Sequence, residues 1–288
     1  MDRLHRINPF AKRETHDAQT VFWYKIFTIL SWLLAVVSSV YYTIESPHDD
    51  VTKQRTIWGQ NRHHHTAFAL NSCIASIYWI VLFVLQAGYI WHLFSPNADH
   101  VQAAASVGSH FIFNNLLHFG FVMLFVRSHF VWAELILIIN FFNLSSLYFR
   151  HPASPRFVHL PAVSGPLAWA FVALYWNGAI AFHAEGLFGR ILANVAVWGI
   201  LVYGLFFLVT FKDYTIGFSL SVLSASLGVG QFLRQIIAFQ WIFAFTIMAT
   251  LFVATFVITL PEIFGGRFRR GEPVVAEDAE RAPLLDDN

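Results

Sequence analysis

The chain has 288 residues, of which 57% are hydrophobic, 17% aromatic and only 12% charged. A soluble domain carries about 25% charged residues, so this chain lacks the polar surface to cover a water-soluble particle, which excludes a soluble enzyme and a disordered protein. A formal net charge of +1 leaves no electrostatic footprint for a nucleic acid, and the lone cysteine, Cys73, excludes an intrachain disulfide framework.

A membrane span needs about 20 mostly apolar residues to cross the hydrocarbon core. In chain order, a polar N-terminal segment (1–20) precedes a first apolar stretch at 26–44. That stretch is too long for a cleaved signal peptide and reads as an uncleaved signal anchor. Further stretches follow at 66–94, 101–126 and 131–149, with Arg127-Ser128-His129 as the turn between the last two. Pro152, Pro155, Pro161 and Pro166 then mark an extended linker. After it come 165–182 and 191–211. The run 214–260 would reach about 70 Å as one helix, so it divides into 214–233 and 235–260, with Gly228, Gly230, Gln231, Arg234 and Gln235 as turn material. The expectation is an all-α polytopic transmembrane bundle of eight spans within residues 21–264, followed by a disordered tail at 265–288.

An even number of spans puts both chain ends on one side. The opposite side carries six basic residues, Lys53, Arg55, Arg62, Arg127, Arg190 and Arg234, whereas the side of the termini carries eleven. Lys25 sits at the membrane boundary on the terminal side. The positive-inside rule then places both termini in the cytosol.

The stretches NPFAKRE, YKIFTILSWLLAVVSSVYY, SVGSHFIFNNLLHFGFVMLFVRSHFVWAE, INFFNLSSLYFRHP, SGPLAWAFVALYWNGAIA and LVYGLFFLVTFKDYTIGFSLSVLSASLGVGQFL together resemble a fungal family of polytopic membrane proteins catalogued as a domain of unknown function. The resemblance runs over residues 7–260. It implies a fungal source and an integral membrane protein, and it brings no catalytic or binding residue with it. The His63-His64-His65 run and the acidic tail are not part of it.

Polar groups inside a span are costly and are functional candidates by default. Ser106, His110, Asn114 and His118 recur every four residues in the third span and form one slowly turning stripe. The stripe is either a face that handles protons or a solute, or a set of interhelical hydrogen bonds. Glu134, the lone carboxylate within the spans, lies about 5 Å into the fourth. It either faces a cavity or reaches the interface to pair with Arg127 or His129. The seventh span is rich in small residues four apart, among them Gly217, Ser221 and Ala225, which suits close helix packing. His48, Asp49, Asp50 and His63-His64-His65 read as a solvated loop rather than a metal site, since no cysteine or HExxH spacing accompanies them. No cofactor, metal or catalytic residue is expected.

The tail carries Glu280 followed four positions later by Leu284-Leu285. This resembles the acidic dileucine signal that clathrin adaptors read on cargo bound for vacuoles and endosomes, a peptide docked in extended form, and the expected location is an endomembrane, vacuolar or endosomal/Golgi. Three functions remain open: a permease-like transporter for a small solute, ion or lipid; an intramembrane enzyme acting on lipid; and a structural or sorting protein without chemistry. The bilayer is the one partner all three share.

Overall fold

The computed structural model describes residues 16–49, 54–150, 155–183, 187–234 and 239–268, with the backbone alone for 187–188 and 261–268. Among the described residues the secondary structure is helical throughout, and eight helices are long and apolar enough to cross a bilayer. The first span is α1 (Ala18–Ile44). A short helix α2 (Ile57–His63) leads to the second span, α3 (Ser72–His92). Helix α4 (Ala98–Ser106) precedes the third and fourth spans, α5 (Gly108–Val126) and α6 (Phe130–Arg150). The fifth is α7 (Arg156–Ala181). The sixth is broken into α8 (Leu187–Ala196) and α9 (Trp198–Phe211). The seventh and eighth are α10 (Tyr214–Arg234) and α11 (Gln240–Phe268).

Each span obeys the need of a lipid-embedded backbone to satisfy its own polar groups. α1 buries Val21, Thr28, Ser31, Ala35 and Ser38, one stripe at helical spacing, while Phe22, Trp23, Phe27 and Leu30 stay exposed toward the lipid. The hydroxyls of Ser31 and Ser38 donate to the carbonyls of Thr28 and Ala35 in the same helix, so these two positions stay small without orphaning their donors. α7 and α10 are the most enclosed spans. α10 packs most extensively against α11, where Gly217 abuts Thr255 and Gly228 abuts Phe245, and Ser221 donates to Met248 O at 2.9 Å. The small residues of this span thus set the approach of its neighbours.

Several segments differ from the sequence-based expectation: Gly228, Gly230, Gln231 and Arg234, expected as turn material, belong to α10, the third span is divided at Val107, and two further segments take a different form. The stretch expected as linker and helix start at 155–166 is already helical and contains a π turn over Leu160–Ser164. Its cause is the proline pair. Gly165 N–H bonds to Leu160 O across the π turn, and residue 166 has no N–H, so Pro161 O is left without a helical donor. α3 supplies it: Gln86 Nε2 donates to Pro161 O at 3.2 Å, and Tyr78 Oη donates to Gly165 O at 2.7 Å. Residues 66–71, expected to begin the second span, are instead a buried loop, with Ala67, Phe68, Ala69 and Leu70 nearly inaccessible. With α2 they plug the bundle on the face opposite the chain ends. The loop carbonyls find donors in Asn61, Gln231 and Ser226, so a non-helical backbone survives here because protein covers it.

Candidate functional site

The polar stripe is divided by the structure. Ser106 belongs to α4, its hydroxyl donating to Ala103 O at 2.8 Å, and the chain breaks at Val107 before α5 begins. Ser106 therefore lies on a different helix from His110, Asn114 and His118. His110 and Asn114 meet α6: His110 Nδ1 lies 2.7 Å from Asn143 Oδ1, Asn143 Nδ2 donates to His110 O at 3.2 Å, and Asn140 Nδ2 donates to Asn114 Oδ1 at 2.9 Å. Since the Asn143 amide N–H faces a carbonyl, its oxygen faces Nδ1, which carries the proton. This ladder fastens α5 to α6. His118 turns the other way, and its Nε2 sits 2.9 Å from Ser39 Oγ of α1.

Glu134 is buried at 9% exposure and makes no pair with Arg127 or His129. It faces α7, where its Oε2 accepts from Asn177 Nδ2 at 2.8 Å, and a Cβ at Gly178 would come within 3.2 Å of its Oε1. Its place on α6 decides this, because the helix turns the side chain inward. Arg127 pairs with Asp49 at 2.6 Å. Among the described residues no group of His, Cys, Asp and Glu is arranged to hold a metal. Glu280, Leu284 and Leu285 lie outside the described residues.

Beside His118 the bundle opens into a cavity of about 210 Å³. Its walls come from α1 (Ser39, Val40, Thr43, Ile44), α2 (Ile57, Trp58), α3 (Ser76, Trp79, Ile80, Phe83), α5 (His118, Phe121, Val122) and α7 (Trp169, Trp176). The His118 ring lies 4.3 Å from that of Trp79, and Trp169 meets Trp79 edge-on at 5.2 Å. The cavity arises because α1 packs along α5 and meets α3 only lightly. Val40, Ile44 and Ile80, at the α1–α3 seam, are exposed, so the seam opens sideways, while Trp58 of α2 roofs it. Ser39 lies five residues before the end of α1 and His118 eight before the end of α5. At 1.5 Å per residue they sit about 8 and 12 Å from the span ends, within the half of the bilayer opposite the chain ends.

A second polar cluster ties the other face together. His159 of α7 reaches Asp213, just before α10, with Nε2 2.8 Å from Oδ2. The other carboxylate oxygen accepts from the Thr215 hydroxyl at 2.5 Å, from Thr215 N at 2.9 Å and from Ile216 N at 3.2 Å. Ser164 Oγ, on the π turn, is 2.7 Å from Thr215 Oγ1. Burial pushes the Asp213 carboxyl up, but the hydrogen bond and charge of His159, with Thr215 and the Ile216 N–H, outweigh it and hold it below its ordinary value. Asp213 is a helix cap, and an Asp ahead of an apolar run was the signal for it in the sequence. Ser39, Trp79, Asn140 and Asn143 carried no such signal.

Eight apolar helices about an enclosed α7 and α10 define the class of a polytopic helical membrane protein. Within that class, residues 190–285 match the family model described as "Fungal protein of unknown function (DUF1774)". The chain is also similar to Uncharacterized protein C637.03 of Schizosaccharomyces pombe, 29% identical over 250 residues that cover 82% of this chain and 87% of the relative. No solved structure matches. The resemblance to a fungal family of unknown function is thus shown, and the family match extends past residue 260 into the tail.

Proposed function

We propose that this protein is a permease-like membrane protein that receives a lipid chain, taken sideways from the leaflet opposite the chain ends. The single supporting observation is the aromatic cavity between α1, α3 and α5, open at a seam of exposed apolar side chains and roofed by Trp58. Walls of this kind favour hydrocarbon over an ion or hydrated solute, because they offer too few polar groups to replace a hydration shell. This narrows the transporter reading from solute, ion or lipid to lipid. The test is photolabelling of the full chain in nanodiscs with a phosphatidylcholine bearing a diazirine on its acyl chain. Labels should map to α1, α3 and α5 around Trp79 and His118, and Ser76→Trp, which fills the cavity, should abolish them. Labelling that ignores Ser76→Trp overturns the reading.

A second reading, an intramembrane enzyme acting on lipid, is favoured by one observation, the 2.9 Å approach of Ser39 Oγ to His118 Nε2. Among the described residues no carboxylate orients that imidazole, which ranks this reading second. Covalent capture of Ser39 by a fluorophosphonate would promote it.

Both termini are proposed to face the cytosol, from the excess of basic residues on their side. The Glu280 and Leu284-Leu285 pattern is proposed to be read there by a clathrin adaptor, giving an endomembrane location. Terminal epitope tags protected from protease in sealed, right-side-out vesicles of endomembrane would refute the orientation.

A further inference from the structure

A cavity walled by Trp58, Trp79, Phe83, Phe121 and Trp169 takes up hydrocarbon of any kind, because burial of apolar area and dispersion do not read functional groups. Selectivity comes from the polar groups that interrupt those walls: the side chains of Ser39, Thr43, Ser76 and His118, with the indole N–H donors of the tryptophans beside them, of which Trp176 Nε1 is engaged with Asn61 Oδ1. Thr43 turns its hydroxyl back to Ser39 O at 2.7 Å. Ser39 Oγ is engaged with His118 Nε2. Among those side chains, that leaves the Ser76 hydroxyl on α3 and His118 Nδ1; of the two, the His118 ring is the one already fixed in place, by Ser39, with a ring nitrogen that has no hydrogen-bond partner among the described residues although the residue is only 8% exposed.

A neutral imidazole has one donor and one acceptor nitrogen. If Ser39 donates into Nε2, then Nδ1 carries the proton and needs an acceptor. If Nε2–H donates to Ser39 Oγ, then Nδ1 is a bare lone pair and needs a donor. A hydroxyl satisfies either tautomer, an ether or carbonyl only the first, and an alkane neither. A ring nitrogen without a partner in apolar surroundings is unfavourable, so a ligand that completes it gains over one that does not.

Depth narrows the chemistry further. His118 lies about 12 Å below the span end, whereas phospholipid headgroups and their glycerol esters stay at the interface. The complementary molecule has a single oxygen on an otherwise apolar body and carries no headgroup. Resting on the proposed lipid-chain site, we infer that its ligand is a neutral lipid alcohol, held by its hydroxyl on His118 Nδ1 while Ser39 fixes the imidazole. His118 is then the residue that sets specificity, Ser39 positions it, and the aromatic rings supply the apolar contact.

The test uses the full chain in phosphatidylcholine nanodiscs and two diazirine probes of equal length, one a long-chain primary alcohol and the other the corresponding alkane. The wild-type chain should label with the alcohol about 10-fold more efficiently, the worth of one hydrogen bond in an apolar site. His118→Phe should reduce alcohol labelling to the alkane level and leave alkane labelling unchanged. His118→Gln, which keeps a donor and an acceptor, should retain part of the preference. Equal labelling of the wild-type chain by the two probes overturns the proposal, as does a His118→Phe chain that keeps the preference. A measurement without variants guards against misfolding: unlabelled alcohol should displace the alcohol probe from the wild-type chain, and equal displacement by the alkane overturns the inference. Loss of both labels in Ser76→Trp separates this question from the cavity itself. If neither label responds to Ser76→Trp, the lipid-chain reading fails; if both respond but show no alcohol preference, only the present inference fails.

Discussion

Replacing Gly230 by Ala adds one methyl group at the tightest backbone contact between α10 and the buried loop. A Cβ there would lie 2.6 Å from Ala69 O and 2.9 Å from both Asn71 N and Leu70 C. These are main-chain atoms, and they cannot swing aside as the end of a side chain can. The loop is clasped to α10 by Asn71 N donating to Ser226 O at 2.9 Å and Ser226 Oγ donating to Asn71 O at 3.0 Å. It must back away by several tenths of an ångström, which strains or breaks that clasp. Overpacking costs about 1–3 kcal/mol, and two weakened hydrogen bonds cost about 1 kcal/mol each. The helix propensity of Ala over Gly returns about 1 kcal/mol. The net expectation is a loss of about 2–4 kcal/mol, a large fraction of the roughly 5–15 kcal/mol by which native proteins are stable. Gly88 is the internal control, since a Cβ at that exposed position of α3 meets nothing within 4 Å. Thermal unfolding in nanodiscs, followed by tryptophan fluorescence, should show Gly230→Ala melting well below the wild type and Gly88→Ala at or slightly above it. A Gly230→Ala chain that melts with Gly88→Ala would refute the argument that the loop is fixed against α10.

Gln86→Leu removes the one donor, among the described residues, that serves Pro161 O on the π turn, and an orphaned carbonyl should cost about 1–3 kcal/mol, read as a lower melting temperature with unchanged helix content. Asp213 has a lowered folded-state pKa, so its contribution is complete above the unfolded carboxylate value of about 4 and disappears as pH falls through the still lower folded value. Asp213→Asn should therefore melt lower at pH 7 and show a flatter decline on acidification than the wild type; parallel curves would contradict it. Leu284→Ala with Leu285→Ala should move a fluorescent fusion from vacuolar or endosomal membranes to the plasma membrane or Golgi, and an unchanged distribution at native expression would remove the sorting proposal.

The sequence by itself determined the class, the number of spans and much of their placement. Apolar runs of span length and a scarcity of charge leave helices as the way to satisfy the backbone in lipid. It also marked Gly217, Ser221 and Ala225 as a packing surface, because small residues four apart fall on one helix face whatever the partner. The tertiary structure alone decided which polar residues converge. Ser39 and His118 are 79 positions apart, and nothing in either helix points to the other. The same holds for His159 with Asp213 and for Glu134 with Asn177, each joined by how two helices rotate about their own axes. Such rotations follow from packing summed over whole faces, as when the exposed aromatic side of α1 turns to lipid and thereby brings Ser39 inward. Periodicity places a residue on a face of its helix, but which face meets which neighbour is settled only when all the faces pack at once.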